Sequence, residues 1–261
     1  MGLKNPYILQ GVNHVKDISE NIWKKTMTGH LLTANLEQLR LEIGTNCDIL
    51  SADYKEYEKI ILTQSYVQST WKFMSENHLK LNDKTEKVKM LREGDVSLME
   101  IFMKKKDISS HELLTLNRCR IYLKVFSLAD VTTGDGKQLK KEIMMGRISE
   151  TGRDTKHWPR WEKPTLSAWS TWRSALIRTF CDNYQNRNLR QPLGKWTHIP
   201  KEWKWFVTTE DKNRSLIVKT DDKWRSHKKL GRSKIQQRFE KKVYYLTKNL
   251  KSEITYLPQF V

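Results

Sequence analysis

Four prolines and three glycines (Gly146, Gly152, Pro159, Pro164, Pro192, Gly194 and Pro200) punctuate the chain between residues 146 and 200. Proline fixes φ and removes a backbone donor, and glycine weakens regular structure, so elements in this stretch must be short. The residues before it follow a different rule: apolar side chains recur at spacings of three and four, the period of a helix with one face on a core. The sequence therefore divides into a helical unit over residues 1–145 and a second, irregular unit over 157–261, with a boundary near 145–157.

Within the first unit a helix is expected around Val12–Met27. A second one is expected over Leu31–Gly44, where Leu32, Leu36, Leu39 and Ile43 share a face and Gly44 supplies the stop. Helices are also expected over Tyr66–His78, Val96–Lys106 and Ser110–Ala129, although Ile121–Phe126 also fits a strand. The run Thr133-Gly134-Asp135-Gly136 is a tight turn rather than a phosphate cradle, because Gly136-Lys137-Gln138 lacks the Ser or Thr such a cradle needs. In the second unit Trp169, Trp172, Leu176 and Phe180 fit a helix over Thr165–Phe180, and Ser215–Val218 fits a hairpin strand. The fold class is mainly α with a smaller, irregular α+β, tryptophan-rich C-terminal part.

Charge is placed as unevenly as the punctuation. The net charge is +18; residues 1–130 carry 19 Lys+Arg against 17 Asp+Glu, and residues 131–261 carry 29 against 13. A field of that sign attracts polyanions. No stretch is both basic and strongly apolar on its opposite face, which favours nucleic acid over a membrane surface. Three scattered cysteines, Cys47, Cys119 and Cys181, make no disulfide framework. The first residues lack the apolar run of a signal peptide, and no window is apolar enough to span a bilayer. The expected location is cytoplasm or nucleus, with no membrane partner.

Eight of the ten tryptophans fall in the second half, among many Lys and Arg residues. Cations beside flat aromatic faces suit single-stranded nucleic acid, since the cations meet phosphates while unpaired bases stack on indoles. Packing in an irregular core is the alternative use of most of these rings. Trp158, Trp161 and Trp203, beside prolines or lysines in expected loops, are the stacking candidates. The tract Arg225, Lys228, Lys229, Arg232, Lys234, Arg238, Lys241 and Lys242, with Glu240 as its single acid, is suited to phosphates whatever the base sequence. A solvated tail or a nuclear-localisation signal is the alternative for that tract.

Catalytic patterns are missing. The seven histidines stand apart from one another and from cysteine, so no metal or other cofactor is expected. No nucleophile motif is present either. The adjacent pair Asp221-Asp222 has Lys219 where a polymerase palm carries an aromatic residue, and Lys223 and Arg225 flank Trp224 where apolar residues should follow. An acidic hairpin turn is the better reading.

Several phrases resemble successive blocks of retroelement open reading frames common in diatom genomes. They are Leu36-Glu37-Gln38-Leu39-Arg40-Leu41-Glu42-Ile43-Gly44, Ser69-Thr70-Trp71-Lys72-Phe73-Met74, and Arg92-Glu93-Gly94-Asp95 with Leu98-Met99-Glu100. The strongest is Leu116-Asn117-Arg118-Cys119-Arg120-Ile121-Tyr122-Leu123, continuing through Leu128–Gly136. Trp158-Pro159, Trp169 with Trp172-Arg173, Pro192–Trp196 and Trp203-Lys204-Trp205 follow in the same order, so the resemblance covers about residues 29–242. In that family the blocks lie downstream of a reverse-transcriptase domain and, in longer members, upstream of a ribonuclease-H-like domain. The resemblance implies a non-catalytic connecting or nucleic-acid-handling segment of a polyprotein, or a fragment of one. Its implied partners are RNA or single-stranded DNA and the two flanking domains. It carries over no catalytic residue. Two alternatives stay open: a packing connector that makes no nucleic-acid contact, and a nuclease or phosphotransferase with an unrecognised carboxylate site.

Overall fold

The computed structural model describes residues 5–133, 135–146, 157–182, 186–195 and 197, and beyond residue 200 the backbone of five strands. The expected boundary at 145–157 falls largely outside the described residues. The fold is mainly helical. By compactness the chain forms two units that interleave along the sequence: one of residues 1–88, 97–121 and 154–162, the other of 89–96, 122–153 and 163–261.

The first unit opens with α1, Pro6–Asn21. The helix starts and ends six residues before the expected one, because Asn5-Pro6 is a start signal: the Asn5 side chain accepts the Tyr7 N–H, and Pro6 supplies the fixed φ of a first helical residue. Helix α1 lies against α4 (Tyr66–Glu76), where Gly11 sits so close to the Phe73 ring that a Cβ there would stand 2.2 Å from it. Helix α2 (Met27–Ile43) is capped by Thr26 at one end and by Gly44, at φ +69°, at the other. Leu32, Leu36, Leu39 and Ile43 are all buried, as the spacing predicts.

A short helix, α3 (Tyr54–Tyr57), and a single 3-10 turn (Glu58–Ile60) precede α4. Trp71 of α4 is buried against Tyr54 and donates its indole N–H to the Ala52 carbonyl at 2.8 Å. The segment after α4 carries no helix up to residue 88 and is pinned instead by side chains. Arg40 binds Asp83 and Thr85, and the Asn46 amide exchanges two hydrogen bonds with the Val88 backbone, at 2.8 and 2.9 Å. Helix α5 (Leu98–Lys104) is capped by Ser97, whose hydroxyl also donates to the Gly44 carbonyl.

Helix α6 (Ser110–Leu123) is shorter than the sequence suggests. Lys124, at φ +54°, leaves the helical region, and Ser127 with Asp130 forms a capping box that starts a new turn, α7 (Leu128–Val131). The strand alternative for 121–126 is not adopted.

In the second unit α8 (Lys141–Met144) and α9 (Leu166–Phe180) pack together: Trp172 donates to the Ile143 carbonyl, and Gly146 lies against the Trp169 ring. Leu91 and Glu93 pair with Gly194, Lys195 and Thr197 through backbone bonds of 2.9–3.0 Å. The expected turn is present at Gly136, whose φ is +72° and whose N–H bonds to the Thr133 carbonyl at 2.8 Å, while Gly134 lies outside the described residues. Strands β1 (Trp205–Glu210), β2 (Asn213–Thr220), β3 (Lys223–Ser226), β4 (Val243–Leu246) and β5 (Ile254–Leu257) form a sheet of order β3-β2-β1-β4-β5. Only the β1–β4 pair is parallel among the pairs of this sheet. Ser215–Val218 lies in β2, and Asp221 and Asp222, between the paired residues Thr220 and Lys223, lie outside the described residues.

Candidate nucleic-acid interface

Helix α6 places two arginines two positions apart, Arg118 and Arg120. Successive residues on an α-helix turn by about 100°, so side chains two apart point in nearly opposite directions. Arg120 turns inward, on the stripe of Leu116 and Leu123, and is fully buried. Its Nη2 donates to the carbonyls of Leu41 and Glu42 at 2.6 and 2.7 Å, and to Asn117 Oδ1 at 2.8 Å. Those two carbonyls belong to the last turn of α2, which has no partners of its own within the helix. A cation there also opposes the negative end of the helix dipole. Asn117 completes the cap by donating to the Glu42 and Ile60 carbonyls at 2.9 and 2.7 Å.

The Arg120 guanidinium lies 5.8 Å from the centroid of the Trp158 ring. Trp158 is 8% exposed, and its indole N–H donates to the Ile121 carbonyl at 2.8 Å. Ile121 is in the last turn of α6, so this bond satisfies a carbonyl the helix leaves open. Trp158 is thus a core residue rather than the stacking face expected of it, since a ring this enclosed cannot receive a base.

Three residues further on the arrangement opens. Trp161 is half-buried, and the guanidinium of the exposed Arg118 lies 5.6 Å from its ring centroid. Arg160, between the two tryptophans in the chain after Pro159, is exposed, as is Glu162. At the other side of Trp158, half-exposed His157 stands 3.5 Å from the Glu37 carboxylate.

The remaining site residues fall elsewhere. Trp203 lies outside the described residues, as do Lys228, Lys229, Arg232, Lys234, Arg238, Lys241 and Lys242. Arg225 belongs to β3, and its side chain is likewise outside them. Sequence reasoning missed Arg118, Asn117 and Arg120. One signal was available: Arg120 stands four residues after Leu116 and three before Leu123, a charged residue on an apolar stripe.

Two acidic groups, Asp95 and Asp130, are engaged with backbone. Asp130 Oδ2 accepts the N–H groups of Phe126 and Ser127 at 2.7 and 2.9 Å; Asp95 accepts those of Leu91 and Ala129 at 3.0 and 2.8 Å. Burial, and then the charge of Asp130, pushes the Asp95 carboxyl above its ordinary value. Both carboxylates act as caps around α7. Lys140 donates to the Asp130 carbonyl at 3.3 Å, and burial holds its amine down to about 8. Among the described residues no group of three His, Cys, Asp or Glu side chains could hold a metal ion, and no helix is long and apolar enough to cross a membrane.

Comparison with protein-family profiles, curated proteins and solved structures gives no match for this chain.

Proposed function

We propose that this chain is a non-catalytic module that binds single-stranded RNA or DNA, acting as a segment of a retroelement polyprotein beside its reverse-transcriptase and ribonuclease-H-like domains. Cytoplasm or nucleus is the matching location. The observation that carries the reading is the placement of charge: 29 basic against 13 acidic side chains after residue 130, with eight of the basic ones in Arg225–Lys242 against Glu240 alone. Such a tract displaces the counterions condensed on a polyanion, and the entropy of their release drives binding that weakens steeply with salt.

The packing-connector reading draws on a different observation. Helix α1 exposes Tyr7, Ile8, Leu9 and Val12, and the buried indoles of Trp158, Trp169 and Trp172 show what tryptophans do where they pack. One experiment separates the two readings. Deleting residues 225–242 is expected to weaken binding to single-stranded RNA and DNA alike. It should also lower the slope of log affinity against log salt by about 3, since four lost contacts contribute about 0.7 each. If affinity and slope are both unchanged by the deletion, the tract does not touch phosphates and the connector reading takes its place.

A further inference from the structure

We propose that Trp161 is a stacking platform for one unpaired base, with Arg118 steadying the ring and meeting the adjoining phosphate. This inference rests on the nucleic-acid reading above and adds to it a defined contact in the helical first unit, away from the basic tract in sequence.

The tryptophans sort by exposure and by what lies beside them. Trp71, Trp158, Trp169 and Trp172 are buried, and Trp71, Trp158 and Trp172 donate their indole N–H to backbone carbonyls. Trp23, at 37% exposure, and Trp161 are the open rings among the described residues. Trp23 is followed in the sequence by the exposed apolar residues Met27 and Leu31, in a part of the chain with almost no excess charge. Trp161 instead has a guanidinium within cation–π range and the exposed Arg160 before it, with Glu162 as the opposing charge in the chain.

A planar guanidinium beside an indole restricts the ring without desolvating it completely, so little conformational entropy remains to be lost when a base arrives. Every base has a π face, so such a site takes any of them. The cation matters separately. An apolar protein segment could also cover the ring, but it would bury the Arg118 charge without a partner, whereas a phosphate next to the stacked base supplies one. The charge favours a polyanion as the occupant.

The test uses the full chain and two single-stranded probes of equal length, oligothymidylate and an abasic oligomer with the same phosphates. Trp161→Ala is expected to weaken oligothymidylate binding about 5- to 150-fold, the range for one stacked base, at an unchanged salt slope. Affinity for the abasic oligomer should stay the same. Arg118→Ala should lower the slope on both probes by about 0.7, one phosphate contact. Trp161→Phe, which keeps a π face, should stay near wild type, and Trp161→Leu, which keeps only apolar bulk, should behave like the alanine variant. This pair decides the matter if the alanine variant does not fold. Trp23→Ala should leave both affinities unchanged. Wild-type binding to both probes, with Trp161→Leu equal to Trp161→Phe, overturns the platform and leaves the nucleic-acid reading standing. Equal losses on both probes also overturn it. Failure of the wild-type chain to bind either probe overturns the nucleic-acid reading itself, and the platform with it.

Discussion

The two arginine–tryptophan pairs of the first unit use the same chemistry to opposite ends. Arg120 and Trp158 are closed: the guanidinium Nη2 and the indole N–H each donate to carbonyls at the end of a helix, and the guanidinium Nε donates to Asn117 Oδ1. Arg118 and Trp161 are open, with the arginine exposed and the ring half-buried. Two positions along α6 make the difference, because they send one guanidinium into the core and the other into water. The lesson is that a cation beside an indole is not a binding signature by itself. The proposed contact at Trp161 rests instead on an exposed guanidinium beside a ring that is only half-buried.

This contrast can be broken by stability measurements, and the largest effect should come from the closed ring. Trp158→Ala removes a buried aromatic side chain and leaves the Ile121 carbonyl without its donor, for an expected cost of about 3–5 kcal/mol in urea unfolding. Arg120→Met should cost about 3 kcal/mol, because it leaves the Leu41 carbonyl and Asn117 Oδ1 without the guanidinium, each worth about 1–3 kcal/mol when buried, while the Glu42 carbonyl keeps the Asn117 amide. Trp161→Phe and Arg118→Ala, on the open side, should each stay within about 0.5 kcal/mol. Comparable losses on the two sides would mean that the open pair is part of the core.

A smaller effect sharpens the contrast by pH. Burial holds the amine of Lys140, which donates to the Asp130 carbonyl, down to about 8 in the folded chain, against its ordinary value of 10.5 when unfolded. A base with a depressed folded value favours folding above its unfolded value and loses that contribution as pH falls through the folded one. The unfolding midpoint of the wild type should therefore fall between pH 10 and pH 8 by more than that of Lys140→Met. Equal shifts in the two chains would show that the ammonium is solvated in the native state.

Much of the helical frame is legible in the sequence because its causes are local. Leu32, Leu36, Leu39 and Ile43 repeat at helical spacing and Gly44 ends the run; Thr165 and Ser97 are caps in the residues just before α9 and α5. The misjudged ends also have local causes of a subtler kind, such as the Asn5-Pro6 start and the Ser127–Asp130 capping box that restarts the chain after Lys124. The site is less legible. Arg120 meets Leu41 and Glu42 across 79 and 78 residues, and Trp158 reaches Ile121 across 37. No pattern in a single chain encodes such pairings. Trp158 and Trp161 have similar neighbours in the sequence, Pro159, Arg160 and Lys163 among them, and only the fold distinguishes them.

The most direct test of the account is photo-crosslinking of the full chain to a single-stranded oligonucleotide carrying 5-iodouridine, with the modified residues located by mass spectrometry. The predicted result is adducts on Trp161 and on peptides within residues 225–242, lost at high salt, with Trp158 unmodified. Adducts on Trp158 in a folded chain, or none on either Trp161 or the basic tract, would contradict it.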